Sequence, residues 1–256
     1  MHFIYKIAAF DLDGTLTESK EKLDKEMAST LLVLAERVPI VIISGGSFKQ
    51  FENQFLSEWK RIVPQKSEIH KNIIFLATNG TKQYEYDNQS DSWKKTKEVS
   101  FEEDVKQKVI EVLKEITDSE DFGIPENHYG EYIEDRGTQV SFSALGQKAP
   151  LEEKKLWDPD HKKREKIKSK LESDVPDILA SIGGTTTVDV LPKGFTKAVG
   201  LKRLLDERNV GKEEIIFVGD ALFIGGNDYS VLESGIKSIR VSNPSETVAI
   251  IKDWIL

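Results

Sequence analysis

The chain has 256 residues, 38% hydrophobic and 31% charged, with a net charge of −8 and no cysteine. That size and mix supports one large domain or two modest ones and excludes disordered and fibrous classes. The acidic balance argues against nucleic acid or an anionic membrane surface as a partner, and the missing cysteines exclude disulfides, thiolate catalysis and zinc–cysteine sites. The start, "MHFIYKIAAFDLDG", has neither a basic beginning nor a small-residue cleavage site, and no run approaches the roughly 18 apolar residues of a membrane span. A cytoplasmic protein is expected, as monomer or homodimer.

In chain order, "FIYKIAAF" before Asp11 reads as a buried strand, and "DKEMASTLLVLAER" as a helix. "VPIVIISGG" is a second strand, followed by a helix in "SFKQFENQFLSEW" with Phe48, Phe51 and Phe55 on one face. "NIIFLATNG" is a third strand. The middle changes character: "KQYEYDN", "YGEYIED" and "TQVSFSAL" alternate like antiparallel strands, while "EEDVKQKVIEVLKEI" and "HKKREKIKSKLESDV" are helical. The lysine-rich runs near Lys94 and Lys162 read as solvated faces. "KAVGLKRLLDERNV" (helix), "EEIIFVGD" (strand), "KSIRVSN" (a weaker strand) and "NPSETVAIIKDWIL" (helix) complete the chain.

Strands alternating with helices predict an α/β fold, a doubly wound parallel-sheet core. The expected core covers residues 1–83 and 190–256, and an inserted α+β domain covers 84–189.

Ligands of such sheets bind at the carboxyl ends of the strands. Those ends here carry Asp11 and Asp13, Ser44 with Gly45 and Gly46, and Asp220. Clustered carboxylates repel one another unless a divalent cation joins them, and an all-oxygen set suits Mg²⁺. Ser44 and the open backbone of Gly45 suit phosphate oxygens, with Lys197 of "GFTK" as a nearby positive charge. Together they predict Asp11 as a carboxylate nucleophile forming an aspartyl phosphate, and Asp13 as the proton carrier.

Simpler readings exist for each part: Asp220 as a helix cap, Ser44 as a turn, Lys197 as a surface lysine. An EF-hand fails because Leu16 stands where its loop needs glycine and Lys22 where it needs glutamate. A receiver domain needs an aspartate ending the third strand, and "FLATNG" has none. Nucleotide-binding glycine motifs are absent. The joint order at successive strand ends favours the catalytic reading.

"FDLDGTLT", "IISGGS", "LPKGFTK" and "VGDALFIGGND" resemble the four motifs of the haloacid dehalogenase superfamily. "SIGGTTTVDVLPKGFTKAVGL" and "GDALFIGGND" are similar to its eukaryotic phosphomannomutase branch, which carries a type IIB α+β cap at this chain position. The resemblance implies Asp11 as nucleophile and Asp13 as general acid/base. It implies Mg²⁺ held by Asp11, the Asp13 carbonyl and Asp220 with support from Asn227 and Asp228, and Ser44 and Lys197 on the transferring phosphoryl group. In the cap it implies substrate contacts at Arg136 and Asp189.

The chain departs from that branch at Lys20, Gln147 and Tyr129, where the resemblance implies arginines, and at Thr187, where it implies serine. Arginines suit a grip on a second phosphate. With fewer of them, hydrolysis of a small phosphorylated sugar is the expected outcome, hexose phosphomutation the alternative, and a non-catalytic sugar-phosphate sensor the reading from another class.

Overall fold

The computed structural model describes residues 4–256; Phe3, at the start of the first expected strand, lies outside them. β1 (Ile7–Asp11) is followed by α1 (Lys25–Ala35), which Asp24 caps by accepting the Met27 N–H at 2.7 Å. β2 (Ile40–Ile43) leads into α2 (Phe48–Phe51), a π-helical turn (Glu52–Leu56) and α3 (Ser57–Ile62). β3 (Ile73–Ala77) precedes the hairpin β4 (Lys82–Asp87) and β5 (Ser92–Glu98). Next come α4 (Glu103–Asp118), β6 (Ile133–Asp135), β7 (Val140–Ser143), α5 (Leu151–Trp157), α6 (Lys162–Asp174), β8 (Ile178–Gly183) and β9 (Thr187–Pro192). α7 (Lys197–Arg208), β10 (Ile215–Gly219), α8 (Tyr229–Glu233), β11 (Lys237–Arg240) and α9 (Pro244–Ile255) close the chain.

The described residues divide into two units. A core unit runs to Glu98 and resumes over Thr196–Ile224 and Asp228–Leu256; an inserted unit spans Val99–Phe195 with Gly225–Asn227. The core holds a seven-stranded sheet in the order β11-β10-β1-β2-β3-β4-β5, parallel from β11 to β3 and antiparallel beyond. β1, β2 and β3 are buried at every residue, as strands covered on both faces must be. Ala8, Phe10, Ile42 and Phe75 pack with α1 and α9 on one face, and Ala9, Val41, Ile43 and Leu76 pack with α7 and α8 on the other. Each large side chain so buried contributes roughly 1.5–3 kcal/mol. This is the doubly wound arrangement expected.

The expected boundary at residue 84 is corrected. β4 and β5 extend the core sheet from β3, and Trp93 anchors them by donating its indole N–H to the Ile73 carbonyl at 2.9 Å. β5, "SWKKTKE", is otherwise exposed, and its lysines suit the sheet's edge. The second boundary moves too, since β9 keeps residues 190–195 with the inserted unit.

The inserted unit is a four-stranded antiparallel sheet, β6-β7-β9-β8. Val140, Phe142, Val188 and Val190 alternate onto a face packed with Val109, Val112 and Leu113 of α4 and Ile167 and Leu171 of α6. Ser141, Ser143, Thr187 and Asp189 therefore point to the opposite face. The β8–β9 hairpin and α5 are additions to the sequence expectation. Lys162 is solvated as expected, but Arg164 in the same run is buried, donating from Nε to Asp158 at 2.7 Å and from a terminal nitrogen to the Gly184 carbonyl at 2.5 Å.

Candidate active site

The site begins with a parallel sheet that ends at one edge in acids. Asp11 is the last residue of β1, and Asp220 follows β10, its neighbour in the sheet. Asp228 arrives just ahead of α8. Asp11, Asp220 and Asp228 each offer a carboxylate oxygen, and these lie within 4.8 Å of one another. Two glycines permit the crowding. A Cβ at Gly14, where φ is +83°, would fall 2.5 Å from an Asp220 oxygen, and one at Gly219 would fall 2.4 Å from an Asp228 oxygen.

Lys197, the first residue of α7, reaches into this cluster. Thr196 caps the helix by accepting the Val199 N–H at 3.4 Å. The Lys197 ammonium, fully buried, donates to Asp11 at 2.5 Å and to Asp228 at 2.7 Å. Burial opposes its charge, but Asp11 and Asp228 outweigh burial and hold its pKa above the ordinary lysine value. Burial, against the pull of Lys197 and with repulsion from Asp228 and Asp220, pushes Asp11 well above the usual carboxylate range. Burial and then the Asp228 charge push Asp220 up to about 6. An oxygen-only set of crowded, largely buried carboxylates fits a hard divalent cation such as Mg²⁺.

Asp13 stands apart from that set. Its two oxygens accept from the Gln50 side chain at 2.6 Å, the Gln54 side chain at 3.0 Å and the Lys20 backbone N–H at 2.6 Å. Ser44, buried at the end of β2, accepts the Gly46 N–H at 3.1 Å, which leaves its hydroxyl hydrogen to donate elsewhere. Gly45, between them, is half-buried. The structure thus gathers carboxylate oxygens of Asp11, Asp220 and Asp228 within 4.8 Å of one another, with Lys197 in direct contact with Asp11 and Asp228. Lys20, read with the substrate-contacting cap residues, is instead an exposed loop residue of the core unit with φ of 63°. Asn227 is half-buried and groups with the inserted unit.

In the inserted unit Asp189 pairs across the sheet with Ser141, whose hydroxyl donates to it at 2.7 Å. Thr187 begins the same strand, opposite Ser143. Arg136 pairs with Glu134 at 2.7 Å. Gln147 buries its amide nitrogen without a hydrogen-bond partner, and the Tyr129 hydroxyl donates to Glu153 at 2.8 Å. Lys154, only 6% exposed, donates to the Gln147 carbonyl at 3.3 Å.

Sequence reasoning missed Lys154, Gln50 and Gln54. The glutamines carried a signal, four residues apart on a helix whose phenylalanines had claimed the other face. Lys154 carried none, being one lysine among many.

Solved structures with this architecture include an IMP-nucleotidase from Plasmodium falciparum (TM-score 0.74, 17% identity, 98% of this chain and 70% of that one). A haloacid dehalogenase-like hydrolase from Bacteroides thetaiotaomicron matches at a TM-score of 0.60 and 19% identity, covering 96% of this chain and 92% of that one. These likenesses show the fold, that of the haloacid dehalogenase-like hydrolases. Among sequence relatives, the phosphomannomutase of Spinacia oleracea is 30% identical (94% of this chain, 92% of the relative), and that of Encephalitozoon cuniculi is 29% identical (94% and 90%). The profile of the eukaryotic phosphomannomutase family matches residues 27–256, and the chain belongs to that family.

Proposed function

We propose that this enzyme is a Mg²⁺-dependent phosphomannomutase, moving a phosphoryl group between the 1- and 6-oxygens of a hexose through an aspartyl phosphate on Asp11. Family membership supports mutation over the hydrolysis expected from sequence. The observation that carries the reading is the match of the eukaryotic phosphomannomutase profile to residues 27–256, to which Lys154 adds a local one. Gln147 removes an expected positive charge, and the nearby Lys154, buried, donates to the Gln147 backbone carbonyl at 3.3 Å and so keeps a cation beside that residue. The Gln147 amide nitrogen, buried without a hydrogen-bond partner, adds a donor suited to a phosphate oxygen.

In this reading an Asp11 oxygen attacks phosphorus and the phosphorus–oxygen bond to the sugar breaks. Asp13 gives its proton to the departing sugar oxygen, then takes one from the hydroxyl that attacks the aspartyl phosphate. Asp11, Asp220 and Asp228 would hold Mg²⁺, which supplies charge neutralisation at the phosphoryl oxygens when bound. Lys197 favours the ionised form of Asp11 against burial and orients it, and Ser44 donates its hydroxyl to a phosphoryl oxygen.

Hydrolysis is the second reading, favoured by Tyr129, which is uncharged and engaged by Glu153. ³¹P NMR of mannose 1-phosphate or glucose 1-phosphate with catalytic hexose 1,6-bisphosphate separates the two. Hexose 6-phosphate accumulating faster than inorganic phosphate supports the mutase, and the reverse order overturns it.

A further inference from the structure

Asp13 must carry a proton in the proposed reaction, yet it lies two residues from Asp11 and close enough for its charge to add to the repulsion on Asp220. A flexible carboxylate there has an alternative. It can swing into the Asp11–Asp220–Asp228 oxygen set and serve a divalent cation as one more ligand, which would tighten the metal and remove the proton carrier. The side chain is instead tied elsewhere, at both oxygens. Gln50 Nε2 donates to one at 2.6 Å, and Gln54 Nε2 donates to the other at 3.0 Å, where the Lys20 N–H also donates at 2.6 Å.

The local structure accommodates the two glutamines at the expense of packing and hydrogen bonding. Gln54 lies in the π-helical turn Glu52–Leu56, a helical irregularity that recurs at functional sites. It is 3% exposed, and its Nε2 also reaches the Glu21 carbonyl at 3.0 Å. Its Oε1 is buried without a hydrogen-bond partner, which is destabilising, so an apolar side chain of similar size would suit packing alone better. Gln50 folds back over Gly46, where a Cβ would meet its amide oxygen at 1.9 Å and its own Cβ at 3.2 Å. The missing side chain at residue 46 is what gives Gln50 its route to Asp13.

We propose that Gln50 and Gln54 are positioning residues that hold the Asp13 carboxylate out of the Asp11–Asp220–Asp228 metal set and reserve it for proton transfer. The inference rests on the phosphoryl-transfer reading of Asp13 given above. Neither glutamine touches the transferring group; both act through Asp13.

The test uses the full chain with Gln50→Ala, Gln54→Leu and the double substitution, under two readouts. The first is steady-state turnover of glucose 1-phosphate with hexose 1,6-bisphosphate. Misplacing a reacting group by about 1 Å costs on the order of a hundredfold, so kcat should fall roughly ten- to a hundredfold while KM stays within about twofold. The second is the Mg²⁺ concentration giving half of the full thermal shift, which needs no turnover. Freed to join the metal set, Asp13 should make that concentration several-fold lower than in the wild type. Gln54→Glu, whose carboxylate repels Asp13, should show the same pair of changes without opening a hole in the helix. Lower kcat with tighter Mg²⁺ supports the proposal. Unchanged kcat in the double variant, or Mg²⁺ binding that weakens together with the melting temperature, overturns it in favour of a structural role. If the wild type turns over no hexose phosphate, the functional reading fails, and the Mg²⁺ titration alone decides the positioning: tighter binding supports it, and unchanged or weaker binding overturns it.

Discussion

Replacing Lys197 with methionine tests the electrostatics of the centre. The ammonium is fully buried and touches Asp11 at 2.5 Å and Asp228 at 2.7 Å, with those two side chains 6% and 0% exposed. Methionine fills similar space, so the loss is chiefly the loss of charge. Removing one partner of a buried ion pair costs about 3–5 kcal/mol, because the other is left uncompensated. For a protein of this size that corresponds to a fall in melting temperature of roughly 6–20 °C. The assay is thermal unfolding at pH 8 in EDTA and again in millimolar Mg²⁺. Mg²⁺ should stabilise Lys197→Met more than wild type, because a divalent cation among Asp11, Asp220 and Asp228 returns the missing charge. Adding Asp228→Asn should recover part of the loss, giving a non-additive cycle. A melting temperature within about 2 °C of wild type in EDTA would refute the reasoning.

Other outcomes follow from the same geometry. Asp220 sits at about 6 against 3.8 for the free side chain, so its raised pKa contributes stability that is full below pH 3.8 and lost as pH rises through 6. In EDTA the stability should therefore fall across that window by on the order of 3 kcal/mol for this group, read as a falling melting temperature, and Mg²⁺ should abolish the fall because it binds the deprotonated form; a flat profile in EDTA would contradict the crowding argument. Gly219→Ala pushes a Cβ to 2.4 Å from the Asp228 carboxylate and should cost about 1–3 kcal/mol while weakening the Mg²⁺-induced thermal shift, both read by melting curves. Lys154→Met removes a charged donor worth roughly 1.5–3 kcal/mol, so the ratio of hexose 6-phosphate to inorganic phosphate should drop about ten- to a hundredfold by ³¹P NMR.

The core of this fold is legible because its strands are short, β-branched and buried on both faces, and each ends in the residue that does chemistry. "IAAFD" and "IIFVG" announce both the sheet and the place of Asp11 and Asp220. β5 is not legible in that way: a strand written "SWKKTKE" carries one apolar residue, and only its pairing with β4 makes it a strand. The β8–β9 hairpin has its signal, Gly183 and Gly184 between two alternating runs, but the segment's likeness to the phosphomannomutase branch overshadows its turn chemistry. Lys154 and Arg164 show the deeper limit. Both sit in lysine-rich stretches that periodicity assigns to solvent, and only tertiary packing distinguishes the buried cation from its exposed neighbours. The charge missing at Gln147 is visible in one line of sequence, while the burial of Lys154 beside it is not.

The account stands most directly on Asp11 accepting the phosphoryl group. Rapid acid quench during turnover of glucose 1,6-bisphosphate, followed by peptide mass spectrometry, should find one phosphoryl group on the peptide containing Asp11. The signal should be present in wild type, absent in Asp11→Asn, and accompanied in that variant by loss of turnover with the melting temperature retained. Turnover with Asp11 unmodified, or a phosphoryl group that persists on another residue in Asp11→Asn, would contradict it.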